Sequence, residues 1–241
     1  MEAQNNTIKY HFEMVEKMFD FGRKKIVYHE NSHLLFSYFF GMCCLYVDYT
    51  INSNVELKDK NLEIEFESLA HANINLPQTL NEYLAFLHLG GSTEEFIART
   101  GISSDALVNG TNAYLAVLFA GYEAERYFFS GNEYADVRDY IQQNGQDFTI
   151  KNIQEDETRA NIIMSNLGFS DDIRNQIRNN AISKINVVLG EDKMKVLFDE
   201  LYNISLSKNR LVQNDIEAFL TYHRFDEWSN EIMEKLSSQN D

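Results

Sequence analysis

Apolar residues recur at three- and four-residue spacing along most of the chain, the pattern of helices that bury one face. The spacing predicts a first helix over residues 8–21 and a second over about 26–47. Residues 34–47 (LLFSYFFGMCCLYV) are almost entirely apolar and belong in the middle of the fold. The period changes only at 52–68, where Leu62, Ile64 and Phe66 alternate with Glu63, Glu65 and Glu67, as on a half-exposed strand. Helical patterns return at 80–89, 92–99 and about 103–129. After a polar stretch at 130–155 they fit 156–167, 171–189, 191–204 and 213–223, with a charged helical tail to 237. A single proline forces few breaks, and there is no repeat, low-complexity tract or Gly/Ser/Pro-rich linker. The expectation is a mainly α fold: one helical domain over 1–241, with at most a small β element near residues 55–67. Its motif core spans about 20–170 and its C-terminal helices about 171–237.

Composition narrows the partners. The 241 residues include 37 acidic and 21 basic side chains, for a formal charge of −16. That balance argues against nucleic acid or an anionic membrane surface as the main partner, since both reward Lys and Arg. The apolar run at 34–47 is shorter than the roughly 20 residues a spanning helix needs, so no membrane span is expected. The first 25 residues lack the apolar stretch and small-residue cleavage site of a signal peptide. Two adjacent cysteines, Cys43 and Cys44, make no disulfide framework, and a reducing, cytoplasmic location is the simpler expectation.

One short segment carries chemistry. His29-Glu30-Asn31-Ser32-His33 is a His-Glu-x-x-His motif within a predicted helix. Residues i and i+4 share a helix face, so both imidazoles can address one metal ion. Neutral imidazoles suit Zn²⁺, and three protein ligands leave a position open for water. Glu30, beside the first ligand, can take a proton from that water and pass it to a leaving amine. Phe36 and Phe39 stand where a metzincin needs Gly and His, which excludes that subclass. Glu63, Glu65, Glu67, His71, His88 and His223 all have the chemistry of a third ligand. Phe36, Tyr38, Phe39 and Phe40 are expected to pack the core around the motif helix.

Further along, Ala120-Gly121-Tyr122-Glu123-Ala124-Glu125 and the residues to Gly131 resemble the Ala-Gly-Arg-x-Ala-Glu-x-x-x-x-Gly helix of FtsH-type ATP-dependent zinc metalloproteases. In that family the third zinc ligand is an Asp opening the next helix, with Ala four residues on and a Gly-(Met/Phe)-Ser segment closing it. Asp156, with Ala160 and Gly168-Phe169-Ser170, follows that order. Asp136, closer to Gly131, is the alternative. The likeness extends over about residues 20–223, although only the His-Glu-x-x-His and Ala-Gly-x-x-Ala-Glu segments match closely. Tyr122 stands in place of the family's Arg, and the segment from Gly131 to Asp156 is longer than the family's loop.

The resemblance implies a zinc metallopeptidase with His29, His33 and Asp156 as metal ligands and Glu30 as catalytic base. No Gly-x-x-x-x-Gly-Lys-Ser/Thr phosphate loop occurs, so the expectation is a peptidase-like domain without the ATPase module. It would act on peptides or flexible protein segments, alone or with a separate unfoldase or adaptor. The strand at Leu62–Phe66 is the expected edge on which an extended peptide would pair. A catalytically silent peptidase-like module that recruits a protein partner is the alternative function, and a metal hydrolase acting on other bonds is a third.

Overall fold

A computed structural model describes residues 2–58, 61–143, 148–151 and 155–238. The described part is mainly helical, with ten α-helices and six short strands. The buried apolar side chains form one connected cluster.

The longest element is α1 (Glu2–Phe39), a single 38-residue helix where the sequence predicts two. Gly22, at the expected break, serves another purpose. A Cβ there would stand 2.5 Å from Cε2 of Phe66, so the missing side chain lets a strand residue reach the helix backbone. The real stop comes later, inside the apolar run. Gly41 takes φ +74°, and the Met42 and Gly41 N–H groups donate to the carbonyls of Ser37 (2.8 Å) and Tyr38 (3.1 Å). This is a Schellman closure, which wants glycine at the left-handed position. The chain beyond it, expected to be helical, is strand β1 (Cys43–Asp48). Both conformations can bury an apolar run, and Gly41 decides between them.

The region expected to hold one strand, 52–68, holds two, β2 (Ile51–Lys58) and β3 (Asn61–Ser68), and a further strand, β4 (His71–Asn75), follows it. Two small sheets result, more β structure than the sequence suggests. In the first, β1 is central and antiparallel to both β4 and β6 (Arg210–Val212), with a register shift between Cys44 and Tyr46. In the second, β3 pairs antiparallel with β2 and parallel with β5 (Phe148–Lys151). Strand β3 is therefore flanked on both sides, while β4 keeps one edge free of strand partners among the described residues.

The helices between and after the strands follow their local signals closely, except for one at Ala135–Gln143, which forms within the polar stretch 130–155 where the sequence predicts no helix. They are α2 (Gln78–His88), α3 (Thr93–Thr100), α4 (Ser104–Phe129), α5 (Ala135–Gln143), α6 (Glu155–Asn166), α7 (Asp171–Leu189), α8 (Asp192–Ser205), α9 (Gln213–Tyr222) and α10 (Phe225–Ser238). Ser92 and Glu95 form a reciprocal capping box on α3, and the hydroxyls of Ser103 and Ser170 cap α4 and α7. Helix α4 packs along α1 and is buried over most of its central turns. Phe36 and Phe39 are buried as expected, and Trp228 of α10 packs against Phe39 with ring centroids 6.1 Å apart. No helix among the described residues is long and apolar enough to cross a membrane.

Candidate metal centre

His29 and His33 sit one turn apart on α1 and are buried to 2% and 5% exposure. Their Nε2 atoms lie 3.1 Å apart. Asp156, in the first turn of α6, brings Oδ2 to 3.2 Å from His29 Nε2 and 3.0 Å from His33 Nε2. These three form the one group of potential metal-ligating side chains found among the described residues.

The opposite nitrogens are held by α4. His29 Nδ1 donates to Glu125 Oε1 at 2.7 Å, and His33 Nδ1 donates to the Val117 carbonyl at 2.8 Å. A carboxylate and a carbonyl can only accept, so each Nδ1 carries the hydrogen, and a ring in its neutral form turns an Nε2 lone pair toward Asp156. Lys25 steadies Glu125 through its other oxygen at 2.9 Å. Val117, Gly121 and Glu125 are spaced four residues apart and form one stripe of α4 against both rings. A Cβ on Gly121 would stand 2.5 Å from His29 Cε1 and 2.7 Å from His33 Nε2. Only glycine allows the rings and the helix to be this close.

Three lone-pair atoms meeting without a hydrogen between them call for positive charge. Four tetrahedral donors at zinc's usual bond lengths stand about 3.3 Å from one another. The separations of 3.0–3.2 Å are near that value, so the donor set fits a zinc ion in both chemistry and spacing. In the metal-free chain the charge is a proton. Burial alone would lower the His29 pKa, but its hydrogen bonds to Asp156 and Glu125 outweigh this and raise it to about 10. Burial likewise opposes ionisation of Asp156, yet the two imidazoles hold its carboxyl far below the usual range.

Glu30 follows His29 and is 7% exposed at the wall of a cleft that contains all three groups. Burial raises its pKa, against the pull of both histidines and a hydrogen bond from the Ala72 backbone. Strand β4 thus lies directly beside the motif helix. The strand expected to form the edge at this site, Leu62–Phe66, lies inside β3, which has neighbours on both sides. The cleft is bordered instead by β4, a five-residue polar/apolar alternation (His-Ala-Asn-Ile-Asn) that lies outside the strand expected from the sequence.

The other ligand candidates are engaged elsewhere. Asp136 is paired with Lys17 at 2.6 Å. His223 meets Glu200 at 3.0 Å, and His88 is exposed. His71 lines the cleft, but its Nδ1 donates to the Leu69 carbonyl and its Nε2 accepts from the Tyr46 hydroxyl, both at 3.1 Å. Glu65 and Glu67 are outside the group, and the side chain of Glu63 lies outside the described residues.

Glu125 and Val117 received no role from the sequence. The four-residue spacing through Gly121 was visible, but its partner face on α1 was not. Removing the Glu125 anchor should loosen His29 without touching a ligand. Glu125→Gln is expected to weaken zinc binding by about 10–100-fold, read by competition with a chromogenic chelator. Comparison with models of known families, with curated proteins and with solved structures returned no match, so the FtsH-type likeness rests on the motifs alone.

Proposed function

We propose that this protein is a zinc-dependent metallopeptidase that hydrolyses peptide bonds in unfolded or flexible protein segments. The observation that carries the reading is the convergence of His29 Nε2, His33 Nε2 and Asp156 Oδ2 next to the buried carboxyl of Glu30. His29, His33 and Asp156 would hold the ion. The chemistry it supplies when bound is Lewis-acid polarisation of the scissile carbonyl and of water.

The remaining work falls to the protein's own groups. Glu30 takes the proton of the attacking water and returns it to the departing amine nitrogen. Burial raises its proton affinity in the metal-free chain, and its place beside the ligands suits a group that must both accept and release a proton. Glu125 and Val117 fix the ring planes so that neither imidazole turns away. The free edge of β4 offers backbone groups to an extended peptide, which would lie across the cleft as an added strand. A cleft built for one strand excludes folded substrates, so compact proteins would need a separate unfoldase or adaptor.

The test is direct. Purified protein should retain about one zinc per chain and cleave a disordered protein such as casein. A chelator should abolish cleavage, and added zinc should restore it. Failure to bind zinc would end the reading. Zinc binding without cleavage of disordered proteins would favour the silent, partner-recruiting alternative.

A further inference from the structure

We propose that Arg159 is the specificity-determining residue of the cleft and takes a carboxylate of the peptide substrate, either an acidic side chain or the C-terminus. This rests on the peptidase reading. Arg159 stands on α6 three residues beyond Asp156, is exposed, and is the one Lys or Arg lining the cleft among the described residues. Its guanidinium carbon lies 5.9 Å from the ring centroid of Tyr114, a buried side chain of α4 that also lines the cleft. That ring gives the arginine a flat support.

Among the described residues Arg159 has no carboxylate partner; Arg23, Arg99, Arg138 and Arg210 share that lack, but none of them lines the cleft. In this acid-rich chain Arg126, Arg178 and Arg224 hold Glu123, Glu157 and Glu227 at 2.6–2.8 Å, and Arg174 lies 3.7 Å from Asp171. The nearby acids are committed elsewhere: Asp156 faces the two histidines and Glu157 is held by Arg178. No described carboxylate pairs with Arg159. Its planar fork is therefore presented to the cleft ready for bidentate binding of an incoming carboxylate. A charge-assisted pair of this kind discriminates against the uncharged isostere by about 10–100-fold.

The experiment uses zinc-loaded protein and quenched fluorescent peptides that differ only by Glu, Gln or Lys at each position around the cleaved bond. A second arm compares free and amidated C-termini. The expected result is a kcat/KM about 10–100-fold higher for the carboxylate at one position, or for the free terminus, and the arm that responds names the source. In Arg159→Gln the ratio should fall to about one, and in Arg159→Glu the preference should invert toward Lys. The same peptides are titrated by fluorescence anisotropy into Glu30→Gln protein, which reads selectivity without turnover. Cleavage with no carboxylate preference, or a preference that survives in Arg159→Gln, overturns the assignment and leaves the peptidase reading intact. Selective binding lost in the Arg159 variants, with no cleavage by the native protein, supports the assignment and sinks the peptidase reading. Neither cleavage nor selective binding overturns both.

Discussion

Glu30→Gln is expected to lower kcat on a disordered protein by about 10²–10⁴-fold while one zinc per chain stays bound. The amide is nearly isosteric and can still accept the backbone hydrogen bond from Ala72, so the strand beside the motif helix keeps its place. It cannot take a proton from water. The native carboxyl is 7% exposed, and exchanging it for a neutral group removes a buried ionisable charge. The melting temperature of the variant should therefore equal or exceed that of the native protein. A loss of activity accompanied by a lower melting temperature and lost zinc would mean that Glu30 acts as a structural residue. Metal content and thermal melts on the same preparation separate the two cases.

The second large effect is expected at a residue with no chemistry of its own. Gly121→Ala places a methyl group 2.5–2.7 Å from atoms of both imidazole rings. The rings cannot retreat, because each is tied to the same face of α4, one turn before and one turn after that position. Either the two helices part or the hydrogen bonds to Val117 and Glu125 break. We expect zinc affinity to fall by about 100-fold or more and stability by about 1–3 kcal/mol, read by chelator competition and thermal melts. Gly131→Ala is the control: its added carbon meets nothing within 4 Å, and both readouts should stay at native values. Unchanged zinc affinity in Gly121→Ala would mean that the ring positions do not matter for metal binding.

The sequence was most legible where structure depends on neighbours a turn apart. His29, Glu30 and His33 declare themselves because an i, i+4 pair on a helix needs no long-range information. The helices near 80–89, 92–99, 103–129 and 171–189 were legible from their apolar stripes. Gly22 and Gly41 were misleading for a physical reason. The first accommodates Phe66, which is 44 positions away and invisible to local pattern, while the second ends a helix within an apolar run that suits helix or strand equally. Strand β4 carries a period-2 alternation of only five residues, three of them polar, and it is held in place by pairing with β1. At the site, the juxtaposition of Asp156 with the histidines was reachable only through the resemblance, since no local spacing links residues 123 positions apart. The engagement of Asp136 by Lys17 and the anchoring by Glu125 are contacts between distant helices, which one-dimensional patterning does not record.

That separation matters during synthesis. Translation adds about 5–20 residues per second, so the ribosome incorporates Asp156 roughly 6–25 s after His33. Throughout this interval the nascent chain is itself an unfolded polypeptide, the kind of substrate the proposed enzyme would cut. An incomplete cation cage would spare it: the proposed hydrolase could not be armed before Asp156 has been added.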